Sequence, residues 1–182
     1  MRIDSSLAFV PFGTPLSCVA GAGVAIPSQI IDLLGSGVGT APANIIGTAT
    51  VFGQDPGVGG GMPVPTFNIV VGTTFLTGSA ATLTVQYQAS IDAGTPGFTP
   101  SSWKTILQSP AYTAAQLLAD TVIFRADLPP TFPDNLNPRF LRLNFAVLAA
   151  TTFTAGTIKF AYPVVVRDDL ANKNAVSNFV VH

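Results

Sequence analysis

The sequence predicts an all-β protein, a jelly-roll β-sandwich of about eight antiparallel strands in one domain covering residues 1–182. Three observations predict it. Apolar residues recur at every second position in several runs, which places one row of side chains on each face of a strand. Seventeen Gly and fifteen Pro punctuate the chain between those runs. No strand–helix–strand alternation, fixed-period repeat or heptad pattern competes with this reading.

The cleanest alternation lies near the C-terminal end. Leu141, Leu143, Phe145 and Val147 alternate with Arg142, Asn144 and Ala146; after a break at 151–156, Ile158, Phe160, Tyr162 and Val164 alternate with Lys159 and Ala161. Val, Ile, Phe and Tyr favour a pleated surface over a buried helix, so the two runs predict an antiparallel hairpin. Residues 82–90 are equally regular, with Leu83, Val85, Tyr87 and Ala89 on one face and Thr82, Thr84, Gln86 and Gln88 on the other. A Gly/Pro turn at 93–100 leads to 103–108, a second predicted hairpin.

The remaining elements follow in order. A short strand is expected around residues 7–12. At 28–34, either Ser28 caps a helix containing Ile30, Ile31, Leu33 and Leu34, or 30–34 forms an extended edge. Gly35, Gly37, Gly39 and Pro42 then make a loop. Residues 45–52 predict a strand, 53–65 a Gly/Pro loop and 67–71 a buried strand. Residues 113–119 suit one helical turn, 121–124 a strand, and 128–137 an irregular crossover rich in proline. A last edge strand is expected at 179–181.

Composition bounds the function. Only 9% of residues are charged, against roughly 25% in an average soluble domain, and there is no Glu. With a net charge of −1, so neutral a surface favours association, and it predicts a face covered by other subunits. The lone Cys18 permits neither an internal disulfide nor a thiolate metal cluster and reads as a small buried hydrophobe. No apolar run approaches the ~18 residues of a membrane span. No signal peptide is visible at the start, which points to synthesis in a reducing cytoplasm.

Signals for chemistry are sparse, and the chain is expected not to be an enzyme. The single His is His182, so a Ser or Cys nucleophile would have no oriented base. Asp168 and Asp169 are adjacent and would point to opposite faces of a strand. Asp127 and Asp134 flank the proline loop, but no calcium-loop spacing supports a site there. Gly57 and Gly59 to Gly61 lack the Lys–Ser/Thr of a phosphate cradle. No metal and no cofactor is expected. Arg125, Arg139, Arg142 and Lys159 concentrate the positive charge, yet the domain is not basic enough to predict direct nucleic-acid binding. Pairing of Arg142 and Lys159 across strands or between subunits is the better expectation. Trp103 either stacks a sugar or joins the core, the core being the more usual place for a strand-start Trp.

Several segments, taken in order, resemble the Bbp16-type capsid cement proteins of tailed bacteriophages. They are Asp4, Leu7 and Phe9; Ile30 to Leu33 followed by Gly35; Gly78 to Gln86; Trp103 to Leu107; Leu128 and Pro129; Arg139 to Asn144; and Thr154 to Thr157. The sequence departs from that pattern at 53–65 and 128–138. The resemblance implies a jelly-roll homotrimer on the outer surface of the virion, bound to the major capsid protein of an HK97-like shell. Its place would be at threefold and quasi-threefold points, across joints between capsomers, with no membrane involved.

Contacts with the capsid or between trimer subunits are expected at Arg2, Ile3, Asp4, Asp55, Met62, Phe132, Asp134, Arg139, Arg142 and Lys159. Each copy would need only about 800 Å² per partner, with avidity from three copies. The rival classes are a carbohydrate-binding sandwich using Trp103, Tyr87 or Tyr112, and an Asp-dependent hydrolase.

Overall fold

In a computed structural model, the structure describes residues 8–19, 23–33, 66–93, 99–129, 132, 136, 138–148 and 151–164. Ten strands lie among them. They are β1 (Leu16–Ser17), β2 (Ala25–Pro27), β3 (Ile31–Asp32), β4 (Thr66–Val71), β5 (Thr82–Ser90), β6 (Lys104–Gln108), β7 (Tyr112–Thr113), β8 (Val122–Ile123), β9 (Phe140–Val147) and β10 (Thr157–Val164). The first sheet has the order β1-β10-β4-β8. The second has the order β2-β9-β5-β6, with β3 also on β9 and β7 also on β5. Every pairing is antiparallel.

Alternation explains how the sheets meet. Phe67, Ile69 and Val71 of β4 and Ile158 and Ala161 of β10 share one core with Leu83, Val85 and Tyr87 of β5 and Leu141, Leu143 and Phe145 of β9. Phe67 and Tyr87 touch between the sheets, with ring centroids 5.0 Å apart. Each fully buried side chain of this size contributes about 1.5–3 kcal/mol, so the interleaved aromatic and aliphatic layer between the sheets is a large source of cohesion.

The predicted hairpin of 141–147 with 158–164 does not form. β9 pairs with β5 over its whole length, from Leu83↔Val147 to Ser90↔Phe140, whereas β10 pairs with β4 and β1 in the other sheet. Strands β9 and β10 therefore lie in different sheets and do not form a turn-linked pair. Phe153 lies in the core before β10, edge-on to Phe75 at 4.9 Å. Gly156 follows at φ 144°, where a Cβ would overlap the Phe75 ring. Two alternating runs in succession are equally compatible with a hairpin or with facing strands of two sheets, because both bury one row of side chains.

The alternation along β10 is also interrupted. A register shift between Ile158 and Phe160 keeps Ile158 and Ala161 in the main core and sends Phe160 and Tyr162 into a separate cluster. A bulge reverses the facing of every residue beyond it.

Ser28 caps no helix. Its hydroxyl accepts from the Leu143 N–H at 2.9 Å, bridging the gap between β2 and β3 along β9, and Ile31–Asp32 is extended. The expected strand at 7–12 is reduced, among the described residues, to a bridge between Val10 and Ala161. The helical turn at 113–119 forms as a 3-10 turn at Ala114–Gln116, where the Gln116 side chain accepts from the Thr113 N–H at 2.9 Å. The strand at 67–71, the strand at 121–124 and the β5–β6 hairpin form as expected, with somewhat different ends. Residues 45–52, 53–65 and 179–181 lie outside the described residues.

Candidate functional site

The sandwich presents two outer faces, and the expected contact residues divide between them. On the first sheet, the bulge in β10 sets Phe160 and Tyr162 beside Phe12. Phe12 lies 4.4 Å from the Phe160 ring and 5.2 Å from the Tyr162 ring, and its N–H donates to Tyr162 Oη at 3.1 Å. Phe12 is nonetheless 57% exposed. The register continues the apolar row from Phe160 through Val70 to Val122 across three strands. Lys159, within the bulge, pairs with Asp120 at 2.6 Å, both side chains being largely exposed.

The second sheet's outer face is a polar ladder. Gln86 Nε2 donates to Gln108 Oε1 at 3.0 Å, and Asn144 Nδ2 donates to Gln86 Oε1 at 2.9 Å. In the next row, Gln88 Nε2 donates to Thr105 Oγ1 at 3.3 Å, and Arg142 Nε donates to Gln88 Oε1 at 2.8 Å. The Arg142 guanidinium lies 4.0 Å from the centroid of the Trp103 ring. Burial pulls its pKa below the ordinary arginine value, though an arginine so placed stays charged. Asn144 is buried, and its Oδ1 has no hydrogen-bond partner among the described residues.

At the edge of this face Arg139 forms a two-sided clamp. Its Nε and Nη2 donate to the two carboxylate oxygens of Asp32, each at 2.9 Å, and its Nη1 donates to Asp92 at 2.7 Å. The hydrogen bond to Asp32 is the largest influence raising the Arg139 pKa. Because the side chain is only 12% exposed, the clamp joins β3, the end of the β5 segment and the start of β9. Bidentate Arg–carboxylate geometry fixes direction as well as distance.

The expected contact residues thus have different roles. Arg139 is engaged within the chain, Phe132 is half-buried and packs against the core, and Arg142 and Lys159 lie on different sheets. The cross-strand pairing expected of Arg142 is made with Gln88, directly opposite on β5, and Lys159 pairs with Asp120. Arg2, Ile3, Asp4, Asp55, Met62 and Asp134 lie outside the described residues. Trp103 does not join the core; it is half-buried under Arg142. Sequence reasoning missed the Asp32–Arg139–Asp92 clamp, although isolated aspartates in a charge-poor stretch were its signal. It also missed the glutamine ladder, because the alternation gives the outward row but not the neighbouring strand.

Elsewhere, Cys18 is fully buried and its thiol is pushed up to about 12, which suppresses the nucleophilic thiolate. An open hollow of about 250 Å³ beside β1 is lined chiefly by Phe9, Val10, Pro11 and Leu16, with Gln29 at its side. Among the described residues no three His, Cys, Asp or Glu side chains gather to hold a metal, and no helix is long and apolar enough to cross a membrane.

These features define an all-β protein of two packed antiparallel sheets, one with an aromatic outer face and one with an amide-and-arginine outer face. No protein-family model matches the chain, and no curated protein is significantly similar to it.

Proposed function

We propose that the chain is a structural virion component: a capsid cement, or decoration, protein. As a homotrimer it would bind the outer surface of a tailed-phage icosahedral shell at threefold and quasi-threefold positions. There it would tie together capsomers of the major capsid protein. The observation that carries this reading is the aromatic outer face of the first sheet, where a half-exposed Phe12 sits on Phe160 and Tyr162 in a chain with only 9% charged residues. Apolar surface concentrated in this way favours a protein partner.

The strand order supports a jelly roll. Successive strands change sheet from β1 to β2, β3 to β4, β4 to β5, β7 to β8, β8 to β9 and β9 to β10, so the chain wraps around its own core. The dispersed cations argue against a nucleic-acid face, since Arg139 and Lys159 are each paired with aspartate. The carbohydrate reading is weaker because Arg142 covers one face of the Trp103 ring.

Sedimentation of the purified chain should give a mass of three 18.8 kDa subunits, and the protein should pellet with undecorated phage shells. A Phe12→Ser, Phe160→Ser double variant should remain folded and lose trimerisation or shell binding. A monomeric wild type that leaves shells bare would overturn the reading.

A further inference from the structure

We propose that Arg142 and Trp103, on the outer face of the second sheet, form a receptor for a carboxylate carried on an extended acidic segment of another protein. The guanidinium is fixed in one plane by the Trp103 ring at 4.0 Å and by its Nε bond to Gln88 at 2.8 Å. Gln88 is itself buried and oriented by Gln86 and Thr105, so the support is rigid before any ligand arrives. Among the described residues nothing accepts a hydrogen bond from either Nη group. Those two groups form the edge of arginine that meets both oxygens of a carboxylate.

The described carboxylates are placed elsewhere. Asp32 and Asp92 hold Arg139, Asp120 holds Lys159, and the Asp127 backbone bridges to Thr66 at the margin of the first sheet, the sheet opposite Arg142. A partly buried cation with no counter-charge among the described residues has more to gain from an incoming anion than a solvated one. Its neighbours on the face are the neutral amides of Gln86, Gln88 and Asn144, which offer no second cation for a polyphosphate backbone. The chemistry therefore fits a single carboxylate on a polypeptide. The geometry stands apart from the cement reading; if that reading holds, the segment belongs to the shell protein.

Trp103 is the only tryptophan in the chain, so its fluorescence reports on the site directly. The 182-residue chain would be titrated with a blocked Gly-Asp-Thr-Asp-Gly peptide and with its Asn counterpart. The acidic peptide should give a saturable change that weakens with added salt, and the Asn peptide should give none. R142Q should abolish the response, and R142K should weaken it about tenfold, the size expected for losing one hydrogen bond to a charged group. Unchanged melting midpoints in both variants would exclude unfolding as the cause. No saturable response in the wild type, or an equal response in R142Q, would overturn the receptor.

Shell co-sedimentation separates the two proposals. Shells left bare by the wild type count against the cement reading alone. Equal decoration by wild type and R142Q counts against a shell carboxylate at this site. Loss of the homo-oligomer in R142Q would place the carboxylate in a second copy and overturn the assignment to another protein.

Discussion

The two outer faces of the sandwich rest on the same core yet are finished in opposite ways. On the second sheet, outward side chains satisfy one another: Gln108, Gln86 and Asn144 form a continuous chain of amide hydrogen bonds across three strands. On the first, Phe12, Phe160 and Tyr162 gather beside Val70 and Val122, with Asn68 and the Lys159–Asp120 pair around them, and Phe12 stays more than half exposed despite two ring neighbours. A polar ladder specifies register and tolerates water, whereas an apolar row gains from being covered. The difference shows that polar and apolar outer surfaces can be separated by sheet within a small sandwich.

The largest expected effect would break the premise that both faces share one core. Phe67→Ala should cost about 3–5 kcal/mol, with Trp103 fluorescence and far-UV circular dichroism reporting a single urea transition. Separate transitions would mean that the sheets are independent. Gly156→Ala should cost about 1–3 kcal/mol in thermal melts, because its positive φ and the Phe75 ring both oppose a Cβ. A neutral effect would favour an exposed hairpin turn over two strands in separate sheets.

Cys18 probes the layer between the faces through pH. Its folded pKa is raised to about 12, above the ordinary value near 8.5, so its contribution to stability is complete below about pH 8.5 and declines as pH rises toward 12. Urea titrations should therefore show a shallower alkaline loss in Cys18→Ala than in the wild type. Equal slopes would place the thiol in contact with solvent.

Smaller effects sharpen the contrast between the surfaces. Trp103→Leu should cost about 0.5–1 kcal/mol through the lost cation–π contact, measured by chemical denaturation, and a larger loss would assign the ring to the core. Lys159→Met should change stability by only about 0–1 kcal/mol, because the Asp120 pair is exposed. A much larger drop in the same measurement would make the bulge of the first sheet as dependent on polar contacts as the second.

Much of the fold was legible from residue alternation. Leu83, Val85 and Tyr87 on β5, and Leu141, Leu143 and Phe145 on β9, lie on the inward faces that their spacing predicts. The pairing of β9 with β5 instead of β10 was not legible, since antiparallel partners distant in sequence offer equivalent pleated edges. The site was legible in fragments: Arg142, Gln86 and Gln88 were on outward rows, but the Trp103 ring beneath Arg142 depends on which strand lies alongside.

Arg139 illustrates the same limit. Its place among the few cations suggested an intermolecular contact, yet Asp32 and Asp92 reach it from segments far away along the chain. The carboxylates were visible; their convergence was not.

By itself, the sequence determined a charge-poor β protein and the inward rows of its longest strands, because side-chain period is a local property of the backbone. The tertiary structure alone decided that β9 and β10 face each other from separate sheets, that the bulge turns Phe160 outward, and that Arg142 rests on Trp103. Those outcomes depend on competition among strand edges and on long-range packing, which local alternation does not encode.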